Sequence, residues 1–176
     1  MSFMTMQESL KEVKKEDIEA IAQRLISAVW AGRQVFLMGN GGSASTASHI
    51  ANDLHAAGIN ATSLCDNIAL LTAIANDKGY EEVFIDQLVV KMRPGDVVIA
   101  ISVSGNSENV IRAVNFANGR DVFTIGLLGF GGGKLREMVK LGIILESHNY
   151  GLVESVHLLI GHLITDEVRN PKESQK

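Results

Sequence analysis

A single cysteine, Cys65, stands among the 176 residues of the chain. One thiol cannot build an internal disulfide framework, and that scarcity fits a reducing cytosol. Positive charge is also in short supply. Sixteen Lys and Arg against 20 Asp and Glu give a formal charge of −4, which argues against an electrostatic nucleic-acid binder. Residues 1–15 have no continuous apolar run, because Glu8, Lys11 and Glu12 interrupt it, so they read as neither a signal peptide nor a membrane span. Internal repeats and low-complexity linkers are missing. No glycine-rich stretch has dinucleotide or Walker spacing, none carries a Walker lysine, and no acidic pair has obvious magnesium spacing. A nucleoside triphosphatase is therefore disfavoured, and a soluble cytoplasmic protein is expected.

What remains is enough for a real core. Apolar residues make up 46% and charged residues 20% of the chain, and its length suits one domain spanning residues 1–176. Apolar positions at helical spacing (Leu10, Val13, Ile18, Ile21, Leu25, Val29) predict an amphipathic helix over 9–31. Lying ahead of the sheet, it is a candidate for packing outside the core or against another subunit. Short apolar or β-branched runs predict strands at 35–38, 61–64, 97–101, 122–127 and 141–145. Helices are expected at 43–57, 67–74, 80–90, 106–117, 134–139 and 152–168, with a break at 75–79 and a frayed polar tail after Asn170. Strands alternating with helices at this spacing give an α/β fold, with a parallel sheet covered on both faces. Ligands of such sheets bind outside the carboxyl ends of the strands, which puts 39–43, 102–107 and 129–134 on one rim.

Two of these loops carry anion-binding chemistry. Val35-Phe36-Leu37-Met38 runs into Gly39-Asn40-Gly41-Gly42-Ser43 and then into a helix rich in hydroxyls. A strand that breaks at glycines and re-enters a helix leaves backbone N–H groups and a positive dipole end facing a crevice. The second loop, Ser102-Val103-Ser104-Gly105-Asn106-Ser107, repeats that arrangement with three serines and a good N-cap type at its end. A phosphate monoester suits both. On the helix after the first loop, His49 and Asp53 are four apart and share a face. The last helix carries Glu154, His157 and His162. Imidazoles and carboxylates on two helices suit a transition metal or proton exchange, while a histidine on so apolar a helix also fits a hydrogen-bonded core position. His55 and His148 have no comparable companions and read as surface or loop residues.

At this point the chain resembles the SIS (sugar isomerase) domain family, and within it the phosphoheptose isomerases. The residues that carry the resemblance are Gly39-Asn40-Gly41-Gly42-Ser43-Ala44, His49, Ala75-Asn76-Asp77 with Tyr80 and Phe84, Ile101-Ser102 with Ser104-Gly105-Asn106-Ser107, Gly131-Gly132-Gly133-Lys134, and the segment from His157 to His162. The resemblance implies a flavodoxin-like three-layer αβα sandwich on a five-stranded parallel sheet. It also implies a homotetramer with active sites between subunits, which gives the first helix (about 7–31) a role in assembly.

Phosphate is then expected at Ser102, Val103, Ser104 and Ser107. Asn40, Gly41, Gly42 and Ser43 would hold sugar oxygens, with Asp77 near the carbonyl end. The resemblance further implies a divalent metal, zinc in many members, at His49, Asp53, Glu154 and His162. Four departures stand against the family pattern: Asp53 replaces a Glu, Glu154 a Gln, Val103 a Thr and Gly151 an Asp. The activity implied is aldose–ketose isomerisation of a phosphosugar, sedoheptulose 7-phosphate to a heptose 7-phosphate through an enediol. Glu154 or Asp53 would act as base and His162 as partner acid. The alternatives are a non-catalytic SIS module that binds a sugar phosphate as regulator or bridge, and an isomerase of another ketose phosphate. Neither a nucleic-acid nor a membrane partner is expected.

Overall fold

The computed structural model describes residues 3–171. Five strands, β1 (Val35–Met38), β2 (Ala61–Ser63), β3 (Val97–Ser102), β4 (Phe123–Leu128) and β5 (Leu141–Ile144), form one sheet in the order β2-β1-β3-β4-β5. Every pairing is parallel. β3 lies at the centre and all six of its residues are buried, as a strand covered on both faces requires. Alternation along it feeds two cores. Val97, Ile99 and Ile101 pack toward α2 (Lys15–Trp30), α3 (Gly42–Ala56) and α7 (Tyr150–Arg169). Val98 and Ala100 pack toward α4 (Ile68–Lys78), α5 (Ile85–Lys91) and α6 (Glu108–Asn118). At about 25 cal/mol per Å² of apolar surface removed from water, these two clusters carry the fold. The tail beyond residue 171 lies outside the described residues.

The layers and strands agree with the sequence-based reading, but four helices do not. The single helix expected over 9–31 is two, α1 (Phe3–Lys11) and α2. The chain turns at 12–14, where a Glu12 carboxylate oxygen accepts a hydrogen bond from the Glu146 backbone N–H at 2.8 Å. The break expected at 75–79 is a single residue: α4 runs through Asn76 and Asp77 and stops at Gly79, whose φ of 107° suits only glycine. Residues 80–90 are a 3₁₀ turn (Tyr80–Glu82) followed by the short α5. Around 130–137 the backbone is 3₁₀, interrupted by three glycines at positive φ. Among the described residues no helix is long and apolar enough to cross a membrane.

His157 on α7 is fully buried and neither ring nitrogen has a hydrogen-bond partner, unlike the satisfied core histidine that its helix suggested. Burial lowers the imidazole from its ordinary 6.5 to about 4, against an opposing pull from the Leu128 backbone, whose geometry falls short of a hydrogen bond. The unfolded chain takes up this proton near pH 6.5 and the folded chain only near 4. Folding stability attributable to this site is therefore full above the upper value and declines as pH falls toward the lower one, by on the order of 3 kcal/mol. His157→Leu is expected to flatten the acid limb of a urea-unfolding profile taken between pH 4 and 7. An acid limb as steep as the parent's would refute this cause.

Candidate functional site

The sheet order reverses between β1 and β3, and the loops that leave these two strands diverge around a crevice. The β1 loop turns at Gly41, which has φ 55°, and enters α3 with no side chain capping the helix. The β3 loop enters α6 through Ser107, whose hydroxyl caps no backbone N–H. Two helix N-termini thus open onto one cavity without a cap from Gly41 or Ser107, although the Ser43 and Ala44 N–H groups donate to the Asn40 and Gly41 carbonyls, each at 3.0 Å, and the Val110 N–H donates to Asn109 Oδ1. Within the β3 loop, the Ser102 and Ser104 hydroxyl oxygens accept from the Gly105 and Asn106 backbone N–H groups, both at 3.2 Å. Their O–H groups remain free to donate outward.

The glycine loop braces this turn from outside. Lys134 N donates to Asn106 Oδ1 at 3.0 Å, and Leu135 N donates to the Gly105 carbonyl at 3.0 Å. Gly105 has φ 62°, and a Cβ there would fall 1.8 Å from the Gly132 carbonyl oxygen, so no other residue fits.

The cavity measures about 120 Å³. Ser43, Ser102, Val103, Ser104 and Ser107 line it together with Asn40 and Glu154. Gly41 and Gly42, at the start of α3, are not among the residues that line it. The Glu154 carboxylate stands over Gly42: a Cβ on that glycine would lie 2.4 Å from Glu154 Oε1. Tyr150, one turn earlier on α7, lines the opening and packs edge-on against Phe130, with ring centroids 4.8 Å apart. Asp77 is elsewhere. It is exposed in the last turn of α4, where its carboxylate accepts from Asn76 Nδ2 at 2.8 Å.

Farther along α3 and α7 a second cluster forms. His49 Nε2 lies 3.3 Å and His162 Nδ1 3.2 Å from Asp53 Oδ2. The two imidazoles meet edge to face with centroids 5.1 Å apart. His49, Asp53 and His162 offer ligand atoms all within 4.8 Å of one another. A tetrahedral ion with bonds of about 2.05 Å has ligand–ligand edges of about 3.3 Å, and the two nitrogen–oxygen separations of 3.3 and 3.2 Å match such edges, as they also match plain His–Asp hydrogen bonds. Glu154 is not in this group. It sits eight residues before His162, about 12 Å of helical rise away.

A family model of the SIS domain matches residues 2–129. The chain belongs to the SIS domain family. A curated phosphoheptose isomerase of Akkermansia muciniphila is 36% identical over 158 residues, 86% of this chain and 84% of that one. Another, from Roseiflexus sp., is 38% identical over 170 residues, 89% of this chain and 86% of that one. The solved phosphoheptose isomerase of Neisseria gonorrhoeae superposes with a TM-score of 0.89 at 32% identity, covering 94% of this chain and 91% of its own. Within the SIS family the chain is thus a phosphoheptose isomerase-like enzyme, an isomerase.

The sequence-based set for this SIS domain therefore divides. Of its loop residues Asn40, Ser43, Ser102, Val103, Ser104 and Ser107 share the cavity while Gly41 and Gly42 do not line it, three of its four expected metal ligands share a cluster, Glu154 belongs with the loops, and Asp77 with neither. Reasoning from sequence passed over Asn109. It is 2% exposed on α6 and exchanges two hydrogen bonds with Asn40, each of 2.9 Å. The available signal was an amide beside Val110 and Ala113 on the face of α6 that packs on the sheet. Cys65 is no nucleophile: its Sγ donates to the Gly39 carbonyl at 3.4 Å, and burial pushes the thiol up.

Because the Glu154 carboxylate shares the cavity with the serine loop, it opposes a phosphate dianion placed there. Glu154→Gln is expected to tighten binding of inorganic phosphate several-fold, as read by titration calorimetry at neutral pH. Unchanged or weaker binding would remove Glu154 from the anion's surroundings.

Proposed function

We propose that this isomerase acts on sedoheptulose 7-phosphate, giving a heptose 7-phosphate by proton transfer through an enediol. The observation that carries the reading is the pairing of two uncapped helix starts in one serine-lined cavity with a His/Asp/His cluster two turns farther along the α3–α7 pair. A ligand that touches both must be elongated, with a phosphate at one end, as an extended ketose phosphate is. The names of the relatives supply the substrate class. The phosphate sits against Ser102, Ser104 and Ser107, and Asn40, Ser43 and Glu154 meet hydroxyls along the chain. Remote binding energy of this kind holds the reacting carbons in place.

At the far end, Asp53 takes the proton from the carbon beside the carbonyl. The carbonyl oxygen gains a proton from His162 and becomes the enediol hydroxyl. Return of a proton to the neighbouring carbon, with loss of the other enediol proton, gives the aldose. Glu154 is the second candidate base for a shorter substrate. Zinc held by His49, Asp53 and His162 would supply Lewis-acid polarisation of the carbonyl in place of the proton from His162, leaving Asp53 its second carboxylate oxygen as base.

The cavity of about 120 Å³ is small beside the ~300–1,000 Å³ of most ligand pockets, so one chain does not enclose the substrate. Apolar surface supports assembly: Ile68 is 72% exposed and Trp30 87%, and a groove of about 470 Å³ lies between Val13, Ile18 and Leu163. We therefore read the protein as a single SIS domain that forms a homotetramer. The N-terminal segment of about 7–31, here α1 and α2, contributes to assembly. The free Cys65 fits a cytoplasmic location. A non-catalytic sugar-phosphate-binding module is the second reading, favoured by Asp53 being engaged by both imidazoles.

Turnover on a panel of ketose phosphates, with and without added zinc, decides the matter. The heptulose 7-phosphate is expected to be converted, with deuterium exchange at the carbon next to its carbonyl, and both Asp53→Ala and His162→Ala are expected to abolish conversion while the tetramer survives. Full activity in both variants, or binding with no exchange, would overturn the reading. Separately, His49→Ala should weaken zinc binding in calorimetry at least tenfold. Equal affinity in the variant would put the metal elsewhere.

A further inference from the structure

We infer that Asn109 is a positioning residue: it fixes the amide of Asn40 so that Asn40 offers the ligand's sugar oxygens an N–H donor rather than a carbonyl. The inference rests on the sugar-phosphate reading above. The Val110 backbone N–H donates to Asn109 Oδ1 at 2.9 Å. A backbone N–H can only donate, so the oxygen of Asn109 is fixed on that side. Its nitrogen then faces Asn40, and Asn109 Nδ2 donates to Asn40 Oδ1 at 2.9 Å. Asn40 Nδ2 returns a hydrogen bond to Asn109 Oδ1, also at 2.9 Å. The Tyr80 hydroxyl donates to the same Asn40 oxygen at 2.9 Å.

Both lone pairs of Asn40 Oδ1 are therefore occupied, and one hydrogen of its Nδ2 is left over. Asn40 lines the cavity, and Asn109, 2% exposed, does not. Asn109 acts through Asn40. An amide is nearly symmetric in shape, so without this clamp a flip would turn a carbonyl toward the ligand at little steric cost. A donor there suits a hydroxyl or a carbonyl oxygen of the carbohydrate, and it complements Glu154, which when ionised can only accept.

The informative variant is Asn109→Asp. As a neutral acid it still accepts with its carbonyl and donates with its hydroxyl, reproducing the amide pair. As a carboxylate it cannot donate to Asn40. At so buried a position the carboxyl should titrate above its ordinary range. Affinities for a ketose phosphate and for inorganic phosphate are measured by calorimetry across pH 5–8, wild type beside variant, with turnover followed in parallel. At pH 8 the variant is expected to lose about tenfold in the ratio of ketose phosphate affinity to inorganic phosphate affinity, the scale of one unmet polar contact. The deficit relative to wild type should close toward pH 5.

A variant whose ratio matches wild type at pH 8, or whose deficit is flat with pH, overturns the inference. If Asn109→Asp does not fold, Asn40→Asp, at a half-buried position, replaces the donor directly. It should show the same loss in the ratio, and an unchanged ratio would count equally against the clamp. Wild type that prefers the ketose phosphate yet never turns it over would sink the isomerase assignment while the affinity ratio still decides the role of Asn109.

Discussion

The close approach of α3 and α7 is the constraint on which the rest of the site depends. Gly161 leaves room for it: a Cβ there would fall 2.3 Å from Ile50 Cγ1, so a larger residue would have to displace the Ile50 side chain from between the helices. Three pairings along the two helices have the same direction. Glu154 stands over Gly42, Gly161 receives Ile50, and His162 meets Asp53. The helices therefore run side by side in parallel, as two helices that each follow a parallel strand and pack on the same face of the sheet do. That alignment puts the start of α3 beside the serine loop and its third turn beside His162. An elongated site is the direct consequence.

The other end of the site is built from backbone rather than side-chain charge. Parallel strands must be joined by helices, and every helix start brings unpaired N–H groups to the carboxyl rim of the sheet. Most proteins satisfy such groups with a capping side chain worth about 1 kcal/mol. Here the residues at the starts of α3 and α6, Gly41 and Ser107, make no such cap. The contrast with α4 and α7 is informative, because Asn67 and Asn149 cap those helices through the N–H groups of Leu70 and Leu152. At α3 the Ser43 and Ala44 N–H groups turn back to the Asn40 and Gly41 carbonyls, and at α6 the Val110 N–H turns to Asn109, so a ligand in the cavity meets the N–H groups that remain at the two helix starts.

Much of this was legible in the sequence, and the reason is local. The strands are short apolar runs whose burial is set by the residues themselves, and the two anion loops are contiguous in sequence. What failed depends on distant partners. The turn between α1 and α2 follows from Glu12 meeting the backbone of Glu146, 134 positions away. No periodicity within 9–31 contains that contact. Asn109 escaped notice because its meaning lies in Asn40, 69 positions earlier. The error at 75–79 had a different origin: Asn76 and Asp77 are poor helix formers, but their side chains bond each other on the exposed side of α4, and the helix runs on to Gly79. Glu154 and His162 share a helix in sequence, yet helical rise separates their tasks.

Charge explains why the departures at Asp53 and Glu154 are compatible with the same architecture. Among the described residues no Lys or Arg lines the serine cavity, and Lys134 on the bracing loop is exposed. The positive potential there comes from two helix starts, each equivalent to roughly half a charge. An ionised Glu154 cancels about that sum, so the cavity carries no large surplus to attract a dianion. An anion held there is held by directed N–H and O–H donors, and an anion lacking the matching oxygen geometry gains little. At the far cluster the shorter Asp53 gives up reach, but one of its oxygens lies within 3.3 Å of both imidazoles because α7 lies close, where Gly161 leaves room for it.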